Sequence, residues 1–440
     1  MSGRKMVESP PIYSPSTPSP IYSPTPQSTE RILQHTPLPG HSRLTHSFIR
    51  KEHALTLVLE GQKENAGLPS FGRGAPLNGT LLLESPETVT SVRMEFRGIL
   101  GSLNASHGYS CLRIIDQASS LYAKDPSQPR CPSAIAFSRR FPRTFKNNGT
   151  SYALPPSCDI TLPDGSFFKC TYSLTVTVLA SRHRSTSLFS KEKSLSVDLE
   201  YRERTRPSRP RISEPSLFST VKICPEEWLQ LPISLTARPD ARAADIRCDL
   251  FVPSIGVFAS PEIVPFHVQL FGAAHSLREL LLPRATNRTR EHPESMRVYL
   301  LRQIAFGAVG SDAPATMNTI LAEGALRPLP PAVLHGLSLP TNPHSRTATS
   351  DDALSWDGEI DLQGITTPSF DVGTFSVMYL ITVELRPPEA SSINRARYGY
   401  PIKITTDTWV GSAEQQEKFW IGNITVSFQP RYCPWGHSFK

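Results

Sequence analysis

The chain has 440 residues, 38% hydrophobic and 19% charged, with a formal net charge of +7. That is enough for two or three domains with their own cores, while the mild charge and missing motifs argue against a nucleic-acid partner. No run of about 18 apolar residues occurs, so no membrane-spanning helix is expected. No G-x-x-x-x-G-K-[ST], G-x-G-x-x-G, G-x-S-x-G or H-E-x-x-H motif occurs, so no catalytic residue, cofactor or metal site is assigned and the chain is read as a non-enzyme.

Residues 1–45 read as a disordered Pro/Ser-rich tail. Nine prolines fall in the first forty residues among Ser, Thr and Gln, and such a segment buries too little apolar surface to offset its ordering entropy. It carries a PPxY motif, Pro10-Pro11-Ile12-Tyr13. The prolines pre-set a polyproline II helix that fits the aromatic groove of a WW domain, and the tyrosine fills a second pocket. Ser19-Pro20-Ile21-Tyr22 is a weaker copy lacking one proline, able to add avidity through Pro20 and Tyr22. Ser-Pro and Thr-Pro pairs begin at Ser9, Ser14, Thr17, Ser19, Ser23, Thr25 and Thr36. Phosphates there would add negative charge beside the motif, although such pairs also arise from composition alone. Met1 to Tyr22 has no apolar core, so no secretory leader is expected. On that reading the N-x-[ST] matches at Asn78, Asn104, Asn148, Asn287 and Asn423 are chance. The seven cysteines are scattered and form no C-x-x-C, which points to reduced thiols rather than zinc or a redox pair.

Residues 46–205 are expected to form a β-sandwich. Strand patterns begin at Leu55–Leu59 and Leu77–Leu83. In the next, Val92, Met94 and Phe96 face a core while Arg93, Glu95 and Arg97 face water. Residues 99–150 are weakly patterned and are expected to hold long loops and a short helix near Leu121. Alternation returns at Tyr172–Val178 and Leu195–Tyr201. A basic stretch follows, and 206–215 is taken as the linker. Arg202, Arg204, Arg206, Arg209 and Arg211 suit anionic lipid head groups or acidic cargo tails, or else a solvated linker that keeps sheet edges apart. Residues 216–410 are expected to form a second sandwich, with strands at 231–235, 248–252, 263–270, 296–304, 359–362, 374–385 and 402–405. A helix-compatible piece spans Met317 to Leu326. His267 falls on a strand's polar face, and Glu359 and Asp361 read as edge charges. Residues 411–440 form a C-terminal extension in which Phe419–Phe428 suits another strand.

The halves echo one another. Val92–Gly98 matches Phe266–Gly272, and Pro155-Pro156-Ser157 before Tyr172–Val178 matches Pro368-Ser369-Phe370 before Tyr379–Leu385. Tandem β-domains offer binding surfaces more readily than a catalytic pocket.

Several of these segments resemble the signatures of alpha-arrestins, the arrestin-related trafficking adaptors. Leu77–Gly98 is similar to the family's G-x-V-x-hydrophobic…V-x-V-x-F-x-G hairpin. Leu154–Ser157 with Tyr172–Val176 resembles its next signature. Leu250–Ser254 with Ile263–Val268, Trp356–Glu359, and Pro368–Phe370 with Tyr379 complete a match over roughly residues 50 to 405. The resemblance implies an all-β fold of two tandem immunoglobulin-like, arrestin-type antiparallel sandwiches. It implies a cytoplasmic protein, peripheral at the plasma membrane or endosomes, that links the cytosolic tails of membrane proteins to a WW-domain HECT ubiquitin ligase, with an anionic membrane surface as a further partner. An arrestin-fold endosomal coat or scaffold subunit is the alternative. A secreted lectin-like β-protein is a third class, to which the N-x-[ST] matches would belong.

Overall fold

The computed structural model describes residues 46–104, 108–125, 130–181, 191–210, 216–239, 242–281, 295–306, 315–330, 352–373 and 375–409. Both Pro-Tyr motifs, Arg211 and Phe419–Phe428 lie outside them. The described residues form an all-β protein. The first half holds β1 (His46–Glu52), β2 (Leu55–Gln62), β3 (Ser70–Phe71), β4 (Pro76–Leu83), β5 (Val89–Asn104), β6 (Gly108–Ala123), β7 (Ala134–Arg140), β8 (Thr144–Asn147), β9 (Thr150–Ala153), β10 (Cys158–Thr161), β11 (Phe167–Ala180) and β12 (Lys191–Tyr201). After a one-turn helix α1 (Leu217–Thr220), the second half holds β13 (Trp228–Leu235), β14 (Ile246–Pro253), β15 (Val257–Ala259), β16 (Ile263–Gly272), helix α2 (Ala274–Leu281), β17 (Met296–Phe306), β18 (Ala315–Glu323), β19 (Ala325–Pro328), β20 (Asp352–Asp361), β21 (Phe370–Asp371), β22 (Phe375–Leu385) and β23 (Ala396–Thr405).

Each half packs two sheets face to face. In the first, β1-β2-β4-β7 covers β3-β12-β11-β5-β6, with β10 added on β11. In the second, β13-β14-β16-β20-β19 covers β15-β23-β22-β17-β18, with β21 added on β22. Period-two alternation builds both cores. Leu55, Leu57 and Leu59 of β2 meet Met94, Phe96, Tyr172, Leu174 and Val176 of the facing sheet, all buried. Val264, Phe266, Val268 and Leu270 of β16 meet Val298, Leu300, Val377, Tyr379 and Ile381 likewise. Each such side chain contributes roughly 1.5–3 kcal/mol by leaving water. Phe141 centres the first core, with ring centroids 4.8 Å from Phe96, 5.2 Å from Phe71 and 5.4 Å from Tyr201. Gly98 is required here, because a Cβ would lie 3.0 Å from the Tyr172 ring and 2.9 Å from Ile114.

The echo between the halves is present in the topology. Among the described residues every pair of strands is antiparallel except β3–β12 and β15–β23, which occupy matching positions. The short additions β10 and β21 also match. Tyr172 of β11 donates its hydroxyl to the Pro155 carbonyl at 2.6 Å, and Tyr379 of β22 donates to Thr367 at 2.5 Å. One expected equivalence is corrected. Val92–Gly98 lies in β5, whose counterpart is β17, whereas Phe266–Gly272 lies in β16, whose counterpart is β4. The short pattern recurs because any strand with one buried face produces it.

Other expectations are also corrected. Leu77–Gly98 is no hairpin: β4 and β5 belong to opposite sheets, so the chain crosses the sandwich between them. Residues 108–123 form one long strand with no helix near Leu121. Two register shifts against β5, at Val92/Arg93 and Gly98/Ile99, spoil the simple alternation. Met317–Leu326 is strand rather than helix, pairing along β17 and then, past Gly324, along β20. Pairing to a neighbouring sheet overrides local propensity there. His267 is wholly buried. Its Nδ1 lies 2.6 Å from Asp357 Oδ1 and its ring 4.9 Å from that of Phe218 on α1. Glu359 is flanked on both sides, by β16 and β19, and pairs with Arg327 at 2.7 Å.

Candidate functional site: the joint between the sandwiches

The residues leading out of β12 run extended and place the basic side chains. Arg202 Nε donates to Glu200 at 2.8 Å. Arg204 binds Asp407 with both prongs, at 3.1 and 2.9 Å. This is a fork geometry that fixes orientation as well as charge. Arg206 is 8% exposed, and its charge also acts on Asp407. Burial pushes the Asp407 carboxyl up. The hydrogen bonds and charge of Arg204, joined by the Thr406 hydroxyl and the Arg206 charge, more than reverse this and hold it below the usual range. Arg209 donates to Glu227 at 2.7 Å and to Ser254 Oγ at 2.9 Å. These four arginines, whose charge run suits a lipid or cargo contact or else a solvated linker, are engaged with the chain's own carboxylates. Arg202 and Arg204 nevertheless keep 63% and 42% of their side chains exposed.

Arg204 and Asp407 span the two halves. Beside them Thr205 N donates to Thr406 Oγ1 at 2.9 Å, and Asp407 N to the Thr205 carbonyl at 2.9 Å. The end of β23 is therefore bound to the strand leaving the first sandwich. On the other side of the joint Phe168 of β11 is wholly buried, with ring centroids 6.0 Å from both Phe370 and Phe375 of the second sandwich. Tyr152 of β9 fills the space a Cβ on Gly373 would take.

One cation enters this apolar seam. The guanidinium of Arg302 acts on Tyr379 and on Cys158 of the first sandwich, and its buried Nε has no hydrogen-bond partner. Cys158 and Cys170 sit opposite each other across β10 and β11. Burial pushes Cys158 up to about 12 and Cys170 well above its ordinary value. Both thiols are protonated at neutral pH and poor nucleophiles. All six cysteines among the described residues are free. Among those residues no three His, Cys, Asp or Glu side chains converge on a metal-sized site, and no helix is long and apolar enough to cross a membrane. The joint can fix the two sandwiches in one orientation. Sequence reading found its arginines but not their partners, because Asp407 lies two hundred residues along the chain and no local pattern marks it.

No protein-family model matches this sequence, and no curated protein matches it.

Proposed function

We propose that this chain is a non-catalytic cytosolic adaptor. Two arrestin-like sandwiches would hold the cytosolic part of a membrane protein, and Pro10, Pro11 and Tyr13 would recruit a WW-domain HECT ubiquitin ligase. Ubiquitin would then reach the cargo by proximity and direct its endocytosis or sorting. The observation that carries the reading is the joining of a PPxY motif to tandem β-sandwiches. A preformed polyproline II segment loses little entropy on docking, so a short motif suffices. The order of alpha-arrestin-like signatures along the chain supports the same reading. The jointed pair suits the role physically, because it keeps the cargo surface at a fixed attitude while the ligase is held on a separate segment.

The test compares wild type with Pro11→Ala/Tyr13→Ala in cells and measures ubiquitin on membrane proteins captured with each. Fewer conjugates on the same captured cargo are expected for the variant. Unchanged conjugates would move the reading to a coat or scaffold subunit that works without a ligase.

A further inference from the structure

We infer that the outer face of the second sandwich carries a docking site for an acidic peptide segment, centred on Glu384. The inference rests on the adaptor reading and names the chemistry of the cargo tail. Three adjacent strands build the site. Arg297 of β17 lies opposite Glu384 of β22, which lies opposite Arg397 of β23. Arg386 and Arg395 close the same end of the sheet. Glu384 is 1% exposed, roofed by the arginines. Arg395 donates to its Oε1, while Arg386 Nη2 lies 2.8 Å from Oε2, an ion-pair contact outside hydrogen-bond alignment. Arg297 and Arg397 lie over the buried Tyr299 ring, at 5.6 and 5.7 Å from its centroid.

A buried carboxylate by itself needs one or two cations, and Arg386 and Arg395 satisfy it. The other two arginines exceed that need. Arg297 reaches the exposed Glu323, and no carboxylate among the described residues pairs with Arg397. Among the described residues four positive charges therefore face two negative ones, leaving two in excess. Arg395 keeps 59% and Arg386 45% of its side chain exposed, so both present further N–H donors outward. The guanidiniums are held by Glu384 and Tyr299 before any ligand arrives, which lowers the ordering cost of binding. Burial pushes the Glu384 carboxyl up, but the close contacts and charges of Arg386 and Arg395 bring it below the usual range, so it remains an anion that fixes them. Further along β17 and β22 the same face carries Leu301, Gln303 and Met378. The excess charge is thus compact, matched to two neighbouring Asp or Glu side chains on an extended peptide rather than to a broad anionic membrane.

The test measures binding of the full chain to a fluorescent peptide rich in Asp and Glu. Its Asn/Gln counterpart and phosphatidylserine vesicles are separate arms. Arg397→Gln unpairs no buried carboxylate and should melt like wild type. It should weaken peptide binding several-fold, and Arg297→Gln/Arg397→Gln about tenfold. Arg139→Gln/Arg140→Gln, which removes the same charge from the first sandwich, should leave binding unchanged. Equal loss in both double variants, undiminished binding by Arg297→Gln/Arg397→Gln, or capture of vesicles without peptide would each overturn the inference. Pro11→Ala/Tyr13→Ala should keep peptide binding, so failure of the ligase reading and failure of this site are separable.

Discussion

Tyr172 and Tyr379 are fully buried polar side chains at matching positions of the two cores, and each has one task. Burial pushes both phenols above their ordinary value, so they stay neutral and donate to the carbonyls of Pro155 and Thr367. Such a bond ties the strand to the segment that enters the sandwich, as a tyrosine corner does. Tyr172→Phe keeps the ring but leaves the Pro155 carbonyl short of a partner. A loss of about 1–3 kcal/mol is expected, read as a lower urea midpoint at unchanged slope; an unchanged midpoint would show that the bond is dispensable. Glu384 and Asp407 are two of the carboxylates that contribute acid sensitivity. Both have folded values held below the usual carboxylate range. A depressed group stabilises the fold above its unfolded value and loses that contribution as pH falls through the folded one. The melting temperature should therefore fall as pH drops into and then below the ordinary carboxylate range, and Asp407→Asn should flatten part of that limb while lowering stability at neutral pH. A melting curve that weakens first above pH 7 would contradict this assignment.

At the scale of elements, strands with one buried face were legible and those with bulges or shared edges were not. Val92, Met94 and Phe96 alternate cleanly in sequence and are buried in β5. β6, its partner, is equally long but reads as loop, because one register shift puts Ile114 and Ile115 side by side in the core and a second falls at Leu121, so strict alternation is lost. β18 reads as helix because Ala, Met and Leu favour one, and only its place beside β17 makes it a strand. His267 reads as surface because alternation assigns it outward, yet Phe218 from α1 and Phe251 cover that face. Of the candidate site, the linker arginines were visible as a charge run, whereas Asp407 and the outer cluster around Glu384 are assembled from distant strands. Close packing gives a test at this scale. A Cβ on Gly79 of β4 would lie 2.5 Å from the Val58 carbonyl and 2.7 Å from the Phe137 ring. Gly79→Ala should cost about 1–3 kcal/mol through overpacking, seen as a lower midpoint in chemical denaturation. A neutral result would mean that β2 and β4 can separate without penalty.

Across the whole molecule, the proposed adaptor is two sandwiches joined as one body to present cargo, with a ligase bound through a separate segment. The joint depends on Phe168 between Phe370 and Phe375 and on the Arg204–Asp407 fork. Phe168→Ala should cost about 3–5 kcal/mol and split the calorimetric transition in two as the sandwiches uncouple. A single transition at the wild-type temperature would show that the seam does not couple them. In the proposed function, Pro10, Pro11 and Tyr13 recruit a ubiquitin ligase. The most direct test of that recruitment is capture of WW-domain ligases by the full chain, comparing wild type with Pro11→Ala/Tyr13→Ala. Loss of the ligase in the double variant is the predicted result; equal capture by both proteins, or capture by neither, would contradict it.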